Sequence, residues 1–307
     1  MDTHSEKFRQ FVRSLKTSTF DSDEDTDLTP QACALTTCTC DLCQNRGFST
    51  FTDKGFISAR ICPCVKSCDL CRGTSQRLDD GKAKHCLSPW PISIVQSLNA
   101  AKLPARYLHA SIRDFSNFSG NHKQVIQNID NWLKSFKTQA QPKGLILGGN
   151  VGVGKTYLLV AVAKHLAHMG LRIQFVDFFQ LISEIKHNIS QNIKQEELIN
   201  PLIETDVLLI DELGKGRQTD FEHTVIDQIV MGRYNQNKII LASTNCQLKA
   251  GPNPYANKDL DKGDRSQFIA RYFPPLVDTV GERVYSRLYE TTHFLELDGN
   301  DYRKEPR

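Results

Sequence analysis

The sequence predicts an α/β chain: a five-stranded parallel sheet with helices on its faces, preceded by a small cysteine-rich module. Three observations carry this expectation. From Gly144 onward, short apolar runs alternate with helical patterns, as a parallel sheet built from βαβ units requires. Two of those runs, Val207 to Ile210 and Ile239 to Ala242, are unbroken aliphatic stretches suited to strands buried on both faces. Nine of the ten cysteines fall between Cys33 and Cys86, with only Cys246 outside.

Taken in order, Phe8, Phe11, Val12 and Leu15 share one stripe of a short amphipathic helix. An acidic stretch, DSDEDTD at 21–27, closes at Pro30 and reads as a solvated linker, so residues 1–30 form a leading segment. The cysteine-rich module occupies 31–90. Pro89 and Pro91 bracket Trp90, a helix follows over Ile92 to Ala101, and the large domain spans 91–307. Within it, Leu145 to Leu147 reads as a strand, Thr156 to Met169 as a helix closed by Gly170, Arg172 to Val176 as a strand, and Phe178 onward as a helix. The two aliphatic runs and a last strand around Phe294 to Leu297 complete the sheet.

At 307 residues, 39% hydrophobic and 24% charged, the chain has the composition of an ordinary globular protein. No run approaches the ~20 apolar residues that span a bilayer, and the first residues lack a signal-peptide core. The expectation is a cytoplasmic protein without membrane contact. Its net charge of +3 is too small to announce a nucleic-acid binder globally, and residues 1–100 are neutral, with twelve basic and twelve acidic side chains. Any polyanion contact is therefore local.

In a reducing compartment, clustered thiols bind metal rather than pair as disulfides, and zinc is the default ion. Cys40-x2-Cys43 and Cys62-x-Cys64, separated by a hairpin-sized stretch, supply four soft ligands for a tetrahedral site. Cys68-x2-Cys71 and Cys86 make a second, incomplete set. Adjacent residues such as His85 and Cys86 rarely both chelate one ion, so Cys38 or Cys33 completes it, or the two CxxC pairs share one ion; spacing leaves these alternatives open. A closed four-ligand site stabilises folding and does no chemistry.

Gly149-Asn150-Val151-Gly152-Val153-Gly154-Lys155-Thr156 fits GxxxxGK[ST] between a predicted strand and a predicted helix. Glycines let the backbone wrap phosphate oxygens with N–H groups pointing inward, and the helix offers its positive dipole end. Lys155 is placed to reach the β and γ phosphates of ATP and Thr156 to hold Mg2+, with Tyr157 counted in the same segment. Asp211 and Glu212 emerge at the carboxyl end of a buried strand, where open α/β sheets bind ligands. Asp211 is expected to hold the metal through water and Glu212 to polarise the attacking water. Thr244 and Asn245 end the next apolar strand and are expected to place a polar side chain beside the γ-phosphate.

In order and in spacing, LPARYLHASIRDF, GLILGGNVGVGKTYLL, DVLLIDELG, IILASTN, VGERVYSRL and DYRK resemble the AAA+ ATPases of the bacterial replicative helicase loader group, DnaC and DnaI, and their relative, the transposition helper IstB. The resemblance implies an AAA+ core with a truncated lid, ATP-dependent homo-oligomers, single-stranded DNA as ligand and a replicative DNA helicase as partner. It also implies Arg287 as the arginine reaching a neighbour's ATP, Arg283 as its alternate, and Arg303 as a sensor in cis. The family's DNA-gripping helix matches Phe178 to Leu198, with Lys186, His187 and Lys194 for phosphates and Phe178 or Phe179 for bases. A transposition helper, and a zinc-containing nucleic-acid binder that uses ATP as a latch with little turnover, are the alternatives.

Overall fold

A computed structural model describes residues 43, 46–63, 76–79, 82–85, 92–117, 121–136, 138–248 and 274–303. The leading helix and acidic linker lie outside them, as do Cys40, Cys64, Cys68, Cys71 and Cys86 and residues 251–265.

Two antiparallel hairpins come first: β1 (Phe48–Asp53) with β2 (Phe56–Ile61), then β3 (Gln76–Asp79) with β4 (Lys82–His85). The first turns through Lys54 and Gly55, both at positive φ, as a two-residue turn must if it is to follow the strand twist. Helices α1 (Ile92–Ala100) and α2 (His122–Phe136) follow. The sheet is then built from β5 (Gly144–Gly149), α3 (Lys155–His168), β6 (Ile173–Asp177), α4 (Phe178–Ser190), α5 (Gln195–Glu204), β7 (Val207–Asp211), α6 (Asp220–Asn235) and β8 (Ile239–Thr244). It ends with α7 (Leu276–Val280), α8 (Glu282–Thr291) and β9 (Thr292–Leu297).

The five strands run parallel in the order β6-β7-β8-β5-β9, so the expected sheet is present. Period-two alternation divides the side chains of its central strands between two cores. Leu145, Leu147, Val207, Leu209, Ile239 and Leu241 pack under α1, α2 and α3. Ile146, Leu208, Ile210, Ile240 and Ala242 pack under α4 to α8. Burial on both faces is why β7 and β8 are aliphatic at every position up to their polar ends.

The helix expected from Phe178 to Leu198 is two helices. It breaks at residues 191–194, where Asn192 turns at φ +63°, before α5 restarts the chain. The first hairpin shares the main core. Phe48, Ile57 and Ala59 are buried with α1 and α3, Asn99 clasps the backbone of Ala59 in both directions (2.7 and 3.0 Å), and Ile57 N donates to Leu103 O at 2.7 Å.

A buried arginine ties the second core together. Arg233 of α6 is fully buried and its guanidinium donates to the carbonyls of Leu202, Ile203, Thr205, Asp206 and Ile239. It joins the end of α5 to the starts of β7 and β8. Burial pulls its pKa down to about 9. No helix among the described residues is long and apolar enough to cross a membrane.

Candidate nucleotide site

The loop between β5 and α3 forms the floor of the site. Helix α3 starts from Gly154, left-handed at φ +98°, with no side chain capping its first turn. Its amide groups are therefore left for an anion. A side chain at Gly154 would run into Phe115, the nearest atom lying 2.5 Å from the Cβ position. Gly152, at φ +84°, leaves a Cβ position only 1.8 Å from the Asp301 carboxylate. Both positions need glycine for backbone sign and for space.

Lys155 is 8% exposed, and its ammonium donates to Gly149 O (2.8 Å), Asn150 O (2.7 Å) and Asn245 Oδ1 (2.7 Å). Burial lowers its pKa to about 8, against the opposing pull of the Asp211 and Glu212 carboxylates. Thr156 Oγ1 donates to Asp211 Oδ1 at 2.8 Å, and Ser243 donates to the same oxygen. Burial raises the Asp211 pKa, and the Ser243 and Thr156 hydroxyls work against that rise. The hydroxyl and carboxylate expected to hold a divalent cation thus stand side by side, an all-oxygen donor set of the kind Mg2+ prefers.

Glu212 follows at φ +57°, a left-handed turn that swings it out of line with β7. The turn is held from β8: Glu212 N donates to Ser243 Oγ (3.0 Å), Leu213 N to Ser243 O (2.7 Å), and Thr244 Oγ1 to Leu213 O (2.7 Å). The Glu212 carboxylate is paired with Lys215. Sequence reading missed Ser243, although its place in IILASTN, one residue short of the strand end and buried, marks a hydroxyl pointed into the structure.

Tyr107 was also missed. Lys164 of α3 holds Leu108 O (2.7 Å) and Ala110 O (2.9 Å), and Ser111 N donates to Tyr157 Oη at 3.2 Å. Phe115 stacks on Tyr157 at 5.7 Å. So folded, the segment brings the Tyr107 phenol beside Thr156, and burial raises the Tyr107 pKa above its ordinary value. Tyr157 therefore faces this segment.

The last described turn lies over the loop. Tyr302 N donates to Gly152 O at 3.3 Å, and Arg303 is close enough for its charge to depress the Lys155 pKa further. Arg283 and Arg287 are not brought to Lys155. Arg283 pairs with Asp227 (3.6 Å), while Arg287 lies over the Tyr234 ring (4.6 Å) and pairs with Glu290 (3.6 Å). On α4, Phe178 is buried and Phe179 is 52% exposed, so only the latter could meet a base. Lys186 lies over the Phe221 ring at 5.1 Å, His187 sits in the last turn of α4, and Lys194 precedes α5. Of the cysteines expected to bind zinc, only Cys43 and Cys62 are described, and both are buried.

A model of the family "IstB-like ATP binding protein" matches residues 92–250, just over half of the chain. The curated relatives bear out the loader group as well. The replicative helicase loader DnaI of Bacillus subtilis is 31% identical over 39% of this chain and 39% of its own length. The loader DnaC of Buchnera aphidicola subsp. Baizongia pistaciae is 28% identical over 43% of this chain and 54% of its own. The chain thus spans about half, or less, of the relatives it matches. A crystal structure of the DnaC helicase loader aligns with 63% of this chain and 99% of its own, at 27% identity and TM-score 0.49. The family match begins at α1 and ends beyond Asn245, taking in the residues that meet at Lys155 apart from the carboxy-terminal turn, and the chain belongs to the IstB-like ATP-binding proteins.

Proposed function

We propose that this chain is a Mg-dependent ATPase that delivers a replicative DNA helicase onto single-stranded DNA. The observation that carries this reading is the meeting of Lys155, Thr156, Asp211, Glu212 and Asn245 at one uncapped helix start. In phosphoryl transfer the protein mainly positions groups and neutralises charge. Lys155 neutralises the β and γ phosphates, Thr156 and Asp211 hold Mg2+, and Glu212, released from Lys215, orients the attacking water. Asn245 sits beside the γ-phosphate through its bond to Lys155. Arg303 serves the same site in cis, and Arg287, displayed away from it, serves a neighbour's in an ATP-dependent homo-oligomer.

Relatives named as replicative helicase loaders support the helicase as partner. The test is capture. The full chain with Mg-ATP should retain the hexameric replicative helicase of its own cell and place it on a single-stranded DNA circle, and Lys155→Ala should do neither. The match to an IstB-like family equally suits a transposition helper. Retention of a transposase and no helicase would decide for that second reading.

Zinc belongs to the same proposal. Cys43 and Cys62 lie at the open end of the β1–β2 hairpin, where Cys62 N donates to Gly47 O at 2.9 Å, and buried thiolates there are the soft donors zinc takes. Metal analysis of full-length protein purified without chelator should find zinc, and EDTA should lower the melting temperature. Metal-free protein with unchanged melting would remove the ion from the account.

A further inference from the structure

The outward face of the β1–β2 hairpin has no part in the nucleotide site. Its cross-strand partners are Ser49 with Arg60, Phe51 with Ser58, and Asp53 with Phe56. The alternate residues Phe48, Ile57 and Ala59 turn inward and are buried, which fixes the other face toward solvent. On that face Phe56 and Arg60 flank Phe51 diagonally. The phenyl groups of Phe51 and Phe56 are 38% and 42% exposed, and the Arg60 guanidinium lies over the Phe51 ring at 5.5 Å.

The face is rigid. Beyond the bonds to Asn99 and Leu103, Ala105 N donates to Gly55 O at 2.9 Å, so the turn is fastened as firmly as the strands. On this face Arg60, with Lys54 at the turn, stands against the single carboxylate of Asp53.

From this juxtaposition we infer that the hairpin's outward face is a binding site for single-stranded nucleic acid, with unpaired bases stacking on Phe51 and Phe56 and Arg60 meeting the backbone phosphates. Every base presents a π-face, and exposed aromatic rings with an arginine guanidinium beside them are the chemistry that grips a single strand without regard to sequence. A duplex hides those faces, so the site discriminates against it. The site lies on a different element from α4 and α5; it rests on the proposed reading that the chain works on single-stranded DNA and adds a place where the strand is gripped.

The test measures fluorescence anisotropy of fluorescein-labelled oligothymidylate with the full chain, against a labelled duplex. Wild type should favour the single strand, with affinity falling as salt rises. Phe51→Ala should weaken binding on the order of tenfold, and Arg60→Ala should weaken it and flatten the salt dependence. Phe51→Leu keeps the apolar bulk and loses the π-face, so it should weaken binding as well. Both residues are exposed at their tips, and unchanged thermal melting will establish that each variant folds. Wild-type affinity in Phe51→Leu and Arg60→Ala overturns the inference. So does loss of helicase capture with DNA affinity intact, which would hand the face to a protein. Complete loss of DNA binding in a Lys186→Ala, Lys194→Ala double variant, with none in the hairpin variants, overturns it too.

Discussion

Glu212→Gln should lower ATP turnover on the order of 10²- to 10⁴-fold while leaving ATP uptake intact. The amide keeps the size of the side chain and its hydrogen-bonding reach but removes the charge that, in the proposed mechanism, polarises water. Lys155, Thr156 and Asp211 are untouched, so the phosphate grip survives. Arg287→Ala should also abolish turnover, by removing a positive charge worth on the order of 10³- to 10⁵-fold in sites that use one. The two defects lie on different surfaces: the Glu212 carboxylate is close enough for its charge to raise the Lys155 pKa, whereas Arg287 lies against Tyr234. A mixture should therefore regain activity, because a subunit bearing Glu212 can be paired with a neighbour bearing Arg287. Phosphate release from the mixed variants is the measurement, and a mixture as inactive as its parts would place Arg287 outside any shared site.

Arg233→Leu should cost about 3–5 kcal/mol of folding stability, read as a shift of the urea midpoint. Leucine fills part of the space and removes a donor from five carbonyls, three of those bonds being buried, and a buried carbonyl left unsatisfied costs about 1–3 kcal/mol before relaxation. Arg233→Lys keeps the charge but offers a point donor in place of a planar fork, so it should recover only part of the loss. A midpoint that does not move in Arg233→Leu would mean the helices and strands around it are held by apolar packing alone.

The sheet was legible because its strands are buried on both faces, which writes an unbroken aliphatic run into β7 and β8. The phosphate loop was legible because its chemistry demands particular residues at fixed spacing. The break between α4 and α5 was not, since the apolar residues continue through Ile189 and Ile193 and only Asn192 marks the turn. Helix α6 is hidden for a different reason: two of its buried positions are Glu222 and Arg233, charged residues that blur a helical stripe. Glu222 sits there because its carboxylate accepts from Gln218 N at 2.9 Å while Thr219 caps the same end. Tyr107 escaped notice because it reaches Thr156 only after a chain reversal that Lys164 and Tyr157 hold from another element. No local pattern encodes that approach.

Residues 105–107 touch two places at once. Ala105 is bonded to the hairpin turn at Gly55, and the Tyr107 phenol lies beside Thr156, next to the phosphate loop. A short lever therefore runs from the aromatic face to the Thr156 hydroxyl. Should a polynucleotide on one end and a triphosphate on the other each bias that lever, thermodynamic reciprocity requires that whatever factor the first adds to the second's affinity, the second returns to the first.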